Sequence, residues 1–104
     1  MSGSGGGPFD FGIPKRDCKS VSSRAIINSP DATNISLLEI GSILNLSLQT
    51  NRGPILAYYK NNLLGSVLAA SLADIIECMD SGTSFQGKVI VLNGAHCEIL
   101  ITAI

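Results

Sequence analysis

The residues able to do chemistry are few. Cys18, Cys78, Cys97 and the single histidine, His96, add up to a Cys₃His set, by count a complete tetrahedral zinc site. Structural zinc sites hold paired ligands about two to four residues apart, and no two of these cysteines are so spaced, so no metal is expected. His96 and Cys97 are adjacent, and neighbours in a strand face opposite ways, so they cannot serve each other as base and nucleophile. Nothing in the spacing brings Cys18 or Cys78 to His96. Gly87-Lys88 is followed by Val89 where a phosphate loop needs Ser or Thr. Asp74, Glu77 and Asp80 recur at helical spacing and read as a solvated helix face rather than a cation site. No catalytic residue, cofactor or metal is expected, and the chain reads as non-enzymatic.

Composition narrows the classes further. The chain has 104 residues, enough for one domain, with 45% hydrophobic and 14% charged residues. The formal net charge is -1, and Lys15, Arg16, Lys19, Arg24, Arg52, Lys60 and Lys88 are the whole basic complement. That argues against a strongly electrostatic nucleic-acid binder. No apolar run approaches the ~18 residues of a membrane span, so no membrane role is expected. The N-terminus shows no basic, apolar leader, which makes a cytoplasmic location and three free thiols the expectation.

The elements that must position these residues are mostly strands. Residues 1–16 are Gly-rich and read as a flexible tail carrying alternating Phe9, Phe11 and Ile13. Residues 17–104 read as one domain. Lys19 to Ile27 is the first strand. Ser29-Pro30 opens a short irregular helix with Ala32, Ile35, Leu37 and Leu38 inward. Ser42 to Gln49 alternates, with Leu44, Leu46 and Leu48 on one face. Ile55 to Lys60 and Leu63 to Leu68 form a hairpin around Asn61-Asn62, with Gly65 at a bulge or bend. Ser71 caps a helix whose apolar stripe is Leu72, Ile75, Ile76 and Met79, and Gly82 stops it. Ser84 to Leu92 and Ala95 to Ile101 flank Asn93-Gly94, which predicts a type I′ hairpin. Leu44, Leu46, Ile76, Val89, Val91 and Ile99 are the expected core.

Three stretches carry a resemblance. Leu38-Glu39-Ile40-Gly41-Ser42-Ile43-Leu44 resembles the segment with which HIRAN domains begin a barrel strand. Asn61-Asn62-Leu63-Leu64-Gly65-Ser66-Val67 is similar to their turn, strand and glycine step. Ala73-Asp74-Ile75-Ile76 and Ser81-Gly82-Thr83-Ser84-Phe85-Gln86-Gly87-Lys88-Val89 are similar to their helix and final strand. The resemblance spans about residues 36–92. It implies a mainly β fold: a small SH3-like or HIRAN-like barrel, with one short helix before the C-terminal hairpin and a minor helical turn after the first strand. It also implies a DNA-binding barrel that takes single-stranded DNA or DNA ends. The charged run usual in that family is here Gln49-Thr50-Asn51-Arg52-Gly53-Pro54, with Arg52 its only charge.

Two functions follow as expectations. The first is a non-enzymatic adaptor acting by protein contact or self-assembly. Its candidates are Phe9, Phe11 and Ile13 in the tail and Ile99 and Ile101 in the last strand, whose apolar edge needs a cover from the same barrel, the tail or another chain. A protein partner or homo-oligomer is implied. The alternative is HIRAN-like nucleic-acid binding through Arg52, Lys60, Tyr58, Tyr59 and Lys88, with only one of the two tyrosines able to line a groove.

Overall fold

Alternating apolar residues in six short strands leave one buried face per strand, and rolling the sheet on itself buries them all together. A computed structural model describes residues 17–104. Its strands are β1 (Ser22–Asn28), β2 (Ile43–Leu48), β3 (Ile55–Tyr59), β4 (Asn62–Leu68), β5 (Phe85–Asn93) and β6 (His96–Ala103), with helices α1 (Ala32–Ile35) and α2 (Leu72–Asp80). They form a closed antiparallel barrel in the order β1-β4-β3-β2-β5-β6. The mainly β barrel with two helices is therefore what the chain forms. Leu44, Ile55, Ala57, Leu64, Val67, Val89, Cys97, Ile99 and Ile101 fill the interior. Ile35 and Leu38 close one mouth, and Ile75 and Cys78 of α2 close the other.

The last strand has no free edge. β6 pairs with β5 on one side and with β1 on the other, Ser22 standing opposite Thr102 and Ala25 opposite Ile99. Ile99 and Ile101, expected as contact residues, are 0% exposed and face the core, where Ile99 was also expected. The alternation that made them look like a sticky edge is the alternation that turns them inward. Phe9, Phe11 and Ile13 lie outside the described residues.

Other corrections have local causes. Asp17 caps a single 3₁₀ turn, Cys18–Ser20, through its carboxylate and the Lys19 N–H, so the first strand begins three residues later than expected. Ser29 takes a positive φ, and Asp31 instead caps α1 by accepting from the Asn34 N–H at 2.9 Å. That one turn aims Ile35 and Leu38 inward and leaves Ala32 and Leu37 outside. The β3–β4 turn falls on Lys60-Asn61, both at positive φ, one residue before Asn61-Asn62. In the β5–β6 turn, Asn93 pairs with His96 and only Gly94 has positive φ, the type II′ signature rather than type I′. A bulge between Val89 and Val91 shifts the alternation of β5, so Val91 leaves the core, while the unbroken alternation of β6 buries Cys97 with Ile99 and Ile101. Leu46 and Ile76 pack against the core half-buried.

Gly65 is required by close approach. A Cβ there would lie 2.6 Å from the Asn28 carbonyl oxygen, where the end of β1 crosses β4.

The cysteines also depart from expectation. Cys18 and Cys78 are joined by a disulfide, with Cα atoms 5.6 Å apart across a sequence separation of 60. Only Cys97 is a free thiol, and it is buried. Two cysteines so far apart meet only because η-turn and helix both end at the same mouth of the barrel, which no spacing rule anticipates. No helix among the described residues is long and apolar enough to cross a membrane.

Candidate functional site

The α1 mouth holds a cleft and several exposed apolar side chains. α1 is one turn long, and it is tied down by Asp31 N–H to the Leu64 carbonyl at 2.8 Å and by the Asn34 side-chain amide to the Leu63 carbonyl at 2.7 Å. The chain then turns at Gly41, whose N–H donates to the Val89 carbonyl at 2.8 Å, while the Ser42 carbonyl accepts from the Val89 N–H at 2.9 Å. Inside this turn the Ser42 hydroxyl accepts from the Glu39 N–H. The docked backbone leaves the side chains outside. Leu37 is 49% exposed, Ile40 62% and Ile43 47%. Beside them lies a cleft of about 440 Å³ between α1 and the tip of the β5–β6 hairpin, lined by Ala32, Ile35, Leu38, Leu92 and Ala95 among others.

Leu37 was expected inward, and Ile40 was not singled out. The signal for Ile43 was present, because alternation that puts Leu44 and Leu46 inside puts Ile43 outside. Ile40 has no such signal, since its exposure depends on how the Gly41 turn docks on β5.

The residues of the nucleic-acid alternative do not form one cluster. Arg52 is exposed in the β2–β3 turn at the α2 mouth. Lys60 is at the other end of β3, roughly 17 Å of strand away. Its ammonium lies 5.3 Å from the centre of the Tyr59 ring. Tyr59 packs against the core, whereas Tyr58 pairs across to Asn45 on the outer wall. Lys88 is exposed in the middle of β5, opposite Ile43 on one side and Leu100 on the other.

A polar cluster that sequence reasoning missed sits on the outer wall of β1 and β6. The Arg24 guanidinium donates to the Glu98 carboxylate at 2.7 Å, and the His96 ring is 2.9 Å from the other carboxylate oxygen. The His96 hydrogen bond, then Arg24, holds the Glu98 carboxyl below the usual carboxylate range. His96 and Glu98 share a face of β6, and the β1–β6 register brings Arg24 to them. Cys97, one residue from both His96 and Glu98, faces inward, and burial followed by the Glu98 charge pushes its thiol up. Among the described residues, no three of His, Cys, Asp and Glu are grouped so as to hold a metal.

No protein-family model matches the chain, and no curated protein matches it significantly. Among solved structures, it is similar to a crystal structure of a protein from Lactobacillus plantarum, a structural-genomics target. The TM-score is 0.69 at 15% identity, covering 80% of this chain and 95% of that one. At that identity the likeness shows the fold.

Proposed function

We propose that the domain is a non-enzymatic binding module, working in the cytoplasm, that makes protein–protein contact through the apolar face at the α1 mouth. The supporting observation is the exposure of Leu37 and Ile40 on the connection after α1 and of Ile43 at the start of β2, close in sequence to Ile35, Ser36 and Leu38 of the cleft lining. A cleft of this size falls within the ~300–1,000 Å³ of sites that receive a ligand or an inserted side chain. Exposed apolar side chains close together gain more from a partner than the same groups scattered singly. The mean hydropathy of +0.35 and low charge fit an apolar contact. A strand edge plays no part, because the barrel has closed its own.

The test is sedimentation velocity on the full chain over a concentration series, with chemical cross-linking in cells read by mass spectrometry. Complexes should carry cross-links around residues 37–43, and Leu37→Glu or Ile40→Glu should abolish them. A strict monomer with no cross-link on this face would sink the reading.

One observation favours the HIRAN-like alternative. Lys88 and Arg24 stand on either side of Leu100 in register, roughly 10 Å apart on the outer wall. Arg24 already shares its charge with Glu98. If single-stranded DNA binds here, Lys88→Glu weakens it at low salt, while Arg52→Ala and Lys60→Ala act independently because they sit at opposite mouths. No binding to short single strands at any salt concentration removes this alternative.

A further inference from the structure

The disulfide joins the start of the described chain to the helix that closes the α2 mouth, and that start is otherwise held only by partial packing and one exposed hydrogen bond. The 3₁₀ turn Cys18–Ser20 buries no residue. Beyond the disulfide it is tied to the barrel by the half-buried Cys18 and Val21 against the core and by the exposed Lys19 ammonium donating to the Ile104 carbonyl at 2.7 Å, while the bonds of the Lys19 N–H and the Ser20 hydroxyl to Asp17 stay within the turn. From Ser22 onward the chain is held differently, by a ladder to β6 and by Ala25 and Ile27 in the core. The covalent bond thus secures a segment that the fold itself holds weakly.

We propose that Cys18–Cys78 is a reducible clasp: a dithiol reductant opens it, releasing the Cys18–Ser20 turn from α2 while the barrel stays closed. Cys18 is half-buried and Cys78 is 1% exposed, so attack falls on the Cys18 sulfur. A thiolate of the reductant bonds to Cys18 Sγ and displaces Cys78 as a thiolate, which takes a proton. The second thiol of the reductant then bonds to the first, displacing Cys18 as a thiol. Two cysteine thiols are gained, and the dithiol is oxidised to its own disulfide. Cys97 takes no part, being buried in the barrel wall. In a reducing compartment such a bond is transient and responsive, and in an oxidising one it persists. The clasp therefore reports the redox state at the chain's own root, independently of what the opposite mouth binds.

Trypsin tests it directly, because Lys19 lies inside the clasped turn and Arg52 and Lys60 lie in barrel turns. On the full chain, dithiothreitol should speed cleavage after Lys19 by about tenfold or more while leaving cleavage after Arg52 and Lys60 unchanged. Cys18→Ser should cut at the reduced rate with or without reductant. Alkylation in denaturant should label one cysteine before reduction and three after. A Lys19 rate indifferent to reductant overturns the proposal, as does a rise at all three sites together, which would mean global opening. Three labelled cysteines before reduction, or a Cys18→Ser chain that fails to fold, overturns it as well.

Discussion

The two mouths of the barrel are closed by different means. The α2 mouth has a helix of nine residues, a fully buried Ile75, and a covalent tie from Cys78 back to Cys18. The α1 mouth has a helix of four residues, two inward side chains, and hydrogen bonds from Asp31 and Asn34 to β4. The longer helix covers its opening and leaves Ile104 the large apolar side chain most exposed there. The short helix leaves a cleft and the exposed Leu37, Ile40 and Ile43. The lesson is that the two ends of one small barrel can be closed to different degrees, one by a helix of nine residues and a disulfide and the other by a single turn.

The sharpest way to break this contrast is to cut the core at each mouth. Ile75→Ala should cost about 3–5 kcal/mol, because a fully buried side chain leaves a cavity that the strands cannot collapse. Ile35→Ala should cost about 2 kcal/mol, since Ile35 already borders the open cleft and its loss merely widens it. Denaturant unfolding of both variants checks the order, and equal losses would mean that the two ends are equally sealed.

Opening the disulfide comes next. A closed loop of about 60 residues restricts the unfolded chain enough that reduction should cost about 2–4 kcal/mol, read as a lower Tm with a transition that remains cooperative. No change in Tm would show that the α2 mouth owes its stability to packing alone. Ile40→Glu should be far milder, within about 0.5 kcal/mol of the parent, because its side chain touches little. It should nevertheless remove partner cross-links. A large stability loss there would mean that the exposed face is structural.

The smallest effect lies on the wall between the mouths. The Glu98 carboxyl is held below its ordinary 4.5 by His96 and Arg24. Its contribution is therefore present above that value and fades as pH falls through the lower folded value. Melting temperature followed downward from about pH 6 should show a shallow drop that Glu98→Gln lacks. Parallel curves would mean the cluster is ornamental to stability.

What could be read from the residues was local. Leu44, Val89 and Ile99 belong to alternating runs, and all three are in the core. Gly65 and Gly82 stand where a bend and a helix stop were expected, both at positive φ. The α2 stripe was right in kind, although Ser71 makes no side-chain cap and its buried hydroxyl has no hydrogen-bond partner. Val91 was misplaced because a single inserted residue at the bulge inverts the faces beyond it, and alternation alone cannot show an insertion. The candidate site was legible only in part. Ile43 follows from the β2 pattern, whereas Ile40 and the cleft depend on Gly41 docking against Val89.

By itself, then, the chain's order of residues determined the strands, the turn positions to within a residue, and the two helices, because each rests on neighbours within a few positions. Tertiary structure alone decided three things. It closed β1 onto β6 and so removed the free edge of the last strand, it brought Cys18 to Cys78, and it joined Arg24 to His96 and Glu98. Each of these joins residues dozens of positions apart. Whether such residues meet is set by strand order and register around the barrel, and those are chosen by the burial of the whole core at once rather than by any local preference.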